Sequence, residues 1–523
     1  MVRWHASMQS ASLTLGRPLV SLPPDLAALK QAIELVRQQK PRQATALAAS
    51  VGDPIGQKLV EWALLRDSES QAGFKRYANF IRANPEWPSV QMLRRRAEER
   101  LFQETRDRES SNSTARANTK QDSRAAKDAD ERWRERRGLA RRLVDVGDAK
   151  TAYRVVRETA PPADPYYRAE FHFMAGWIAL RFLNNPSTAM EHFAHIDEAS
   201  TDPIVAARAA YWRGRAAEAA GRFQDMRAEY QAAARYPTAY YGQLANARLS
   251  LGEIELHQSP QSAASGLARE LVHAADILYV IGEHSLAVSF MTDFAKESND
   301  LAAIAALGEL TAHYSDAQAM LLVGKTALAR GMAMEQYAFP DIGVPTYNTI
   351  GPQIDRCVVY SIVRTESGFD QRDKSPAMAV GLMQVTPEAG RDTAKRFGVT
   401  YDWNRLVSDP VYNTQMGAAE VAALLKEYGG SYIMAFAGYN AGRGRVQEWV
   451  AKHGDPRNPR VDAVDWVERI PFAETRNYVQ RVMENLQVYC GRFGVSTAAV
   501  EPNLYRSAAV APRDTVLVEA FPQ

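Results

Sequence analysis

A period of 37 residues constrains this chain more than any other feature of its sequence. Gly147-Asp148-Ala149-Lys150-Thr151-Ala152-Tyr153 aligns with Asn184-Asn185-Pro186-Ser187-Thr188-Ala189-Met190, and again with Gly221-Arg222-Phe223-Gln224-Asp225-Met226-Arg227. A large apolar residue follows in register each time, as Val156, Phe193 and Tyr230. This period is close to that of tetratricopeptide repeats and carries a turn between two helices. It predicts a stacked α-solenoid, because one helix pair cannot bury its apolar face alone. Ala/Leu-rich helical patterning also runs from Leu26 to about Gln103 and through Tyr236–Gly252 and Leu267–Met332. His192 and His195, in the second repeat, read as helix-surface residues rather than metal ligands, since no Cys or acidic cluster joins them.

At 523 residues the chain has material for two or more domains. Its net charge of +2 argues neither for nor against an anionic partner. No run approaches the ~20 apolar residues of a membrane span, so no integral membrane segment is expected. Residues 1–24 hold Arg3 and His5 but no continuous apolar stretch, which makes a poor signal peptide; they read as a remnant or a wrongly started leader. The helical region is assigned to 25–340, interrupted at about 103–129 by a polar stretch without apolar periodicity, expected as an exposed loop or disordered insertion. Interspersed acidic residues and the lack of aromatics there argue against a nucleic-acid-binding arm. Gly343–Gly351, with Pro345 and Pro352, marks the start of a last, mostly helical domain over 341–495, followed by a loosely held tail at 496–523.

The chemistry gathers in Val358–Thr386. It opens as a helix, with Ile354, Cys357, Val358 and Ile362 spaced as one apolar face, and Gly368 terminates it. Glu366 therefore falls in the last turn, beside unpaired carbonyls and the negative end of the helix dipole. That setting and partial burial both disfavour a carboxylate, which is the environment of a general acid. On its own, a Glu after an apolar helix is more often a solvated side chain. After a polar loop at Gln371–Pro376, Val380–Val385 reads as a short buried strand or tight turn with one amide, Gln384; Thr386-Pro387 then caps the next helix.

Three separated blocks resemble the soluble, goose-lysozyme-like lytic transglycosylases of the SLT type. The first is Glu366-Ser367-Gly368-Phe369 with Lys374-Ser375-Pro376 and Gly381-Leu382-Met383-Gln384. The second is Ala437-Gly438-Tyr439-Asn440-Ala441-Gly442, running on through Gly444 and Val446. The third is Ile470-Pro471-Phe472-Ala473-Glu474-Thr475-Arg476-Asn477-Tyr478-Val479. They cover roughly the last third of the chain, and Gly438 and Arg443 depart from the family's usual residues. The resemblance implies an all-α protein, an α-superhelical solenoid followed by a lysozyme-like catalytic domain. It implies cleavage of the β-1,4 bond between N-acetylmuramic acid and N-acetylglucosamine in peptidoglycan glycan strands, giving 1,6-anhydromuramoyl ends without a cofactor or metal. A periplasmic location follows from that substrate.

By matched position Glu366 is the catalytic residue. Ser375 and Gln384 resemble the polar residues beside the muramoyl ring, Tyr439 the tyrosine that supports the reacting sugar, and Glu474 a cleft carboxylate. Met383 shields the site from water, and Asn440 shapes the turn after a helix. Tyr439 as a core residue and Glu474 as a first-turn helix charge remain open, as do a lysozyme-type hydrolase and a solenoid scaffold with a silent domain. Phe369, Tyr412, Trp449, Trp466 and Tyr478 are candidate sugar platforms, though most should be core. The solenoid supplies none of the matched residues. Residues after about 340 are therefore expected to fold and act alone, with the solenoid left to engage long strands or protein partners. Cys357 and Cys490 read as two buried thiols, with pairing the alternative in an oxidising compartment.

Overall fold

The computed structural model describes residues 22–108, 117–158, 161–198, 200, 202–254, 256 and 265–495. Residues 1–21 of the 1–24 leader reading and the tail at 496–523 lie outside them. Among the described residues the regular elements are all α-helices, joined by turns and two isolated β-bridges. Two local rules start many of them. Proline stands at the first turn of Pro24–Arg37, Pro54–Arg66, Pro165–Arg181, Pro203–Ala219 and Pro410–Glu427, where its missing N–H costs nothing. Asp53, Asp164, Asp202 and Asp409 cap four of those through a side-chain oxygen. No helix of the described residues is long and apolar enough to cross a membrane.

The chain divides into two compact units: Met1–Ser111 with Pro260–Leu310, and Asn112–Ser259 with Thr311–Gln523. The first is built on an edge-to-face aromatic cluster, with the Phe290 ring 5.1 Å from Trp62 and 5.5 Å from Trp87. The second carries the three aligned repeats and the segment after 310.

The 37-residue register has a backbone cause. Gly147, Asn184 and Gly221 all take positive φ, at 87°, 50° and 72°, so each repeat turns its corner through a left-handed residue. The next residue caps the following helix twice: Asp148 accepts from the Thr151 N–H and Asn185 from the Thr188 N–H. Val156, Phe193 and Tyr230 are buried. Glycines in the neighbouring helices make room for two of them: a Cβ on Gly176 would lie 2.4 Å from the Phe193 ring, and one on Gly214 would lie 2.6 Å from Tyr230.

Three expectations change. The polar stretch 103–129 is largely helical: Val90–Arg108 runs into it and Ala117–Asp145 begins within it, leaving 109–116 outside the described residues. The stretch from 117 holds Ala, Lys, Gln and Arg without Gly or Pro, so helix propensity prevails over the missing apolar period. Cys357 and Cys490 form a disulfide joining the helices Arg356–Glu366 and Ala473–Arg492 across 133 residues of sequence. Burial alone did not distinguish two thiols from one bond. His192 is half-buried, its Nε2 3.0 Å from the Tyr153 hydroxyl and its Nδ1 3.5 Å from His172, while His195 pairs with Glu198.

The repeats and the segment after 310 also share one core, and charged groups are buried along their contact. Arg215 binds Asp462 at 2.7 Å, Arg181 pairs with Asp465, and the Trp177 indole N–H donates to Asp465 at 3.2 Å. Tyr241 donates to Glu468, and the Tyr240 N–H donates to Glu484 at 3.0 Å. Buried carboxylates of the last segment thus take partners from the repeats.

Candidate active site

Glu366 is the last residue of the helix Arg356–Glu366, whose buried run is Cys357–Val363. Ile354 precedes that helix instead of lying on its face. Beyond Glu366 the chain leaves the helical path through positive φ at Gly368 and Phe369. The residue is half-buried, and the loss of water around its carboxyl pushes its pKa up from 4.5 to about 7. Tyr478 pulls the value down, while the charges of Glu474 and Asp373 add to the rise. The Tyr478 hydroxyl faces the carboxyl closely enough to act on it, yet it is buried without a well-formed hydrogen bond.

The loop beneath Glu366 is held by side chains to which the sequence reading gave no role. Asn413 is fully buried; its Oδ1 accepts from the Met383 N–H at 2.9 Å, and its Nδ2 donates to the carbonyls of Val380 at 2.8 Å and Leu406 at 3.0 Å. Ser367 donates to the Leu382 carbonyl at 2.8 Å, tying the acid's helix to this loop. Gly381 takes φ 76° there, and a Cβ would lie 2.3 Å from the Asn413 amide nitrogen. Gly381→Ala is therefore expected to lower the unfolding free energy by more than about 2 kcal/mol and to reduce activity. Denaturant titration and turnover measured on the same preparation check this.

The matched residues meet around this loop in different ways. Gln384, at φ 47°, spends its amide N–H groups on the carbonyls of Asp373 at 3.1 Å and Gly381 at 3.0 Å. Ser375 closes its own turn, its Oγ accepting from the Ala379 N–H at 3.1 Å. The Met383 side chain is buried beneath the site against Gly417, and its carbonyl accepts from the Tyr439 hydroxyl at 2.7 Å. Burial holds the Tyr439 phenol well above its usual pKa, with Glu366 and Glu420 adding to the effect, so it stays a neutral donor. Asn440 links the second block to the third, its Oδ1 accepting from Thr475 at 2.7 Å. Arg443, one of the family departures, pairs with Glu420 at 2.5 Å and Glu427 at 2.7 Å. Glu474 and Asp373 are exposed and reach Glu366 through their charge.

All five aromatic candidates are buried. Tyr478 alone among them acts on Glu366; in the third block Phe472 is an exposed ring, 44% accessible and edge-on to Trp449 at 5.7 Å. Among the described residues no group of His, Cys, Asp and Glu is placed to hold a metal ion.

Comparison with known proteins gives matches over this segment. Residues 347–459 match the family model described as the Transglycosylase SLT domain. The soluble lytic murein transglycosylase of Escherichia coli (strain K12) is 37% identical over 136 residues, which are 26% of this chain and 20% of that protein. Its counterpart in Salmonella typhimurium is 37% identical over 139 residues, 26% of this chain and 21% of the relative. The match thus spans about a fifth of the length of these relatives. Among solved structures, an inactive mutant of the lytic transglycosylase Slt from Pseudomonas aeruginosa superposes with a TM-score of 0.53 at 20% identity, covering 91% of this chain and 74% of that one, a likeness of fold. Residues 347–459 are thus similar to the transglycosylase SLT domain, within a chain whose helical fold is like that of Slt.

Proposed function

We propose that this chain is a lytic transglycosylase acting on peptidoglycan glycan strands, with Glu366 as acid and then base. The observation that carries the reading is the Glu366 carboxyl itself: half-buried, held near pKa 7, and acted on by two other carboxylates, Glu474 and Asp373, that lie in solvent. The matched domain and the relatives named above support the same reaction class. A group near pKa 7 can both give and take a proton at neutral pH.

In the first step the Glu366 proton goes to the bridging oxygen as the C1–O bond of N-acetylmuramic acid breaks. The acetamido oxygen of the same sugar bonds C1 in its place. In the second step the sugar's own 6-hydroxyl attacks C1, releases the acetamido group, and returns its proton to Glu366. The balance closes on a 1,6-anhydro ring and consumes no water. An intramolecular hydroxyl has the advantage over a diffusing one, with effective molarities up to ~10⁵–10⁸ M. Ser375, Gln384, Tyr439, Asn440 and Glu474 are the residues assigned to the sugar in this scheme. Met383 acts through its carbonyl, which orients Tyr439. Intact Glu366, Gln384 and Tyr439 count against a silent domain. The Cys357–Cys490 disulfide supports an oxidising compartment, as expected for the periplasm.

Glu474 and Asp373 lie within electrostatic reach of Glu366, and this favours the hydrolytic alternative more than the sequence did. Digestion of purified sacculi in ¹⁸O-water separates the two. We expect anhydromuramoyl ends free of heavy oxygen; label at most new muramoyl ends would replace this mechanism with hydrolysis by activated water.

A further inference from the structure

Tyr478 reaches Glu366 from one side of the helix Ala473–Arg492, and what fixes the other side lies outside the matched residues 347–459. We propose that Glu468, gripped from the repeats by Tyr241 and Arg208, is a positioning residue for the catalytic acid. This inference rests on the reading of Glu366 as proton donor.

Glu468 ends the helix Ala463–Glu468 and is wholly buried. One carboxylate oxygen accepts from the Tyr241 hydroxyl and from Gln480 Nε2, the latter at 2.7 Å. The other lies 3.8 Å from Arg476 Nε and 4.0 Å from Arg208 Nη2. Arg141 donates to the Glu468 carbonyl at 2.8 Å, and Glu170 binds Arg208 from the opposite side. Burial would raise the pKa of Glu170, but Arg208, Arg476 and Arg141 together hold it down at about 2. Tyr241, Arg208, Arg141 and Glu170 belong to the repeat region, whereas Arg476 and Gln480 belong to the helix that carries Tyr478.

Helical geometry turns this grip into a lever. Arg476 and Gln480 are four residues apart and share one face. Tyr478, two residues from each, lies about 200° round the helix from Arg476, on the opposite face. A shift of the helix against Glu468 therefore moves the Tyr478 hydroxyl at Glu366, and no well-formed hydrogen bond holds that hydroxyl in place. Buried ionic groups add little stability over apolar packing, whereas buried hydrogen bonds specify geometry; here Tyr241 and Gln480 fix one Glu468 oxygen, and the other has the two arginines at ion-pair distance only. Besides Tyr478, the groups acting on the acid are Glu474, Asp373 and the Tyr439 phenol. Asp373 and Tyr439 lie on other elements, and Glu474, at the exposed start of the same helix, touches neither Glu468 nor its partners in the network described above.

The test uses the full chain with Tyr241→Phe and Gln480→Leu, neither of which strands a buried charge. Trp177→Phe is the control, since it removes the hydrogen bond to Asp465 and keeps an aromatic ring beside Arg141, the one group of the Glu468 network that Trp177 faces. Turnover of glycan strands, KM, the pH dependence of kcat/KM and the melting temperature are measured for each. We expect both test variants to lower kcat about 3–10-fold at nearly constant KM, the mark of an interaction used in the transition state. The basic limb of the profile should move to higher pH, because Tyr478 no longer pulls the Glu366 pKa down. Trp177→Phe should lower the melting temperature and leave the limb in place. An unmoved limb with kcat within about twofold of wild type in both test variants overturns the proposal. Failure of the Glu366 reading shows separately, as turnover retained by Glu366→Gln.

Discussion

Glu366→Gln is expected to lower turnover by at least ~100-fold, since general acid catalysis contributes typically ~10²–10⁴-fold. The same variant should melt at a higher temperature than wild type at neutral and alkaline pH. The folded protein holds the carboxyl at about 7 against the usual 4.5, so the native state binds this proton more tightly than the unfolded chain does. The resulting stabilisation is complete below about 4.5 and is lost as pH rises through 7, where the native state must bury a charge. At ~1.36 kcal/mol per pKa unit the difference is roughly 3 kcal/mol. Glutamine carries no such charge, so its advantage should grow from pH 4.5 to 7 and vanish in acid. Calorimetric melting across that range, beside turnover on glycan strands, checks both halves. A variant that keeps more than about a hundredth of wild-type turnover would show that Glu366 is not the general acid.

Removal of residues before 341 should have the second large effect: residues 341–495 alone are expected not to unfold cooperatively. Asp462, Asp465 and Glu468 would lose Arg215, Arg181, Trp177, Tyr241 and Arg208 together. The apolar core that this segment shares with the repeats would be laid open to water at the same time, and a domain is held together by only ~5–15 kcal/mol. A sharp melting transition with retained activity in that fragment would show that the buried charges contribute far less than their burial suggests.

The sequence made the helices legible wherever a cap or a stop residue spoke for itself. Pro387–Phe397 ends on Gly398 in the left-handed conformation, as its pattern predicts. The repeat was visible because its corner residues need positive φ and few residue types supply it. Glu366 was legible from its place at the end of an apolar helix. Asn413 was not, because a lone amide within a helix carries no pattern, and its three partners lie on other segments. Tyr478 was visible only as an aromatic in a matched block; its approach to Glu366 depends on how two helices far apart in sequence pack. Glu468 and its arginines were illegible for the same reason, since a buried charge reads as a surface charge until its partners are placed.

The packing of the acid's helix, Arg356–Glu366, against Ala473–Arg492 has a consequence for the timing of synthesis. Tyr478, Thr475 and Cys490 all arrive on that late helix, more than a hundred residues after Glu366 leaves the ribosome. Contacts of such long range form late, because the loop between them must close first. A growing chain can stack its repeats as they emerge, but it holds Glu366 with no partner from that helix. The acid thus acquires its setting only when the region is nearly whole, and a chain interrupted before residue 473 has an exposed glutamate in place of an active site.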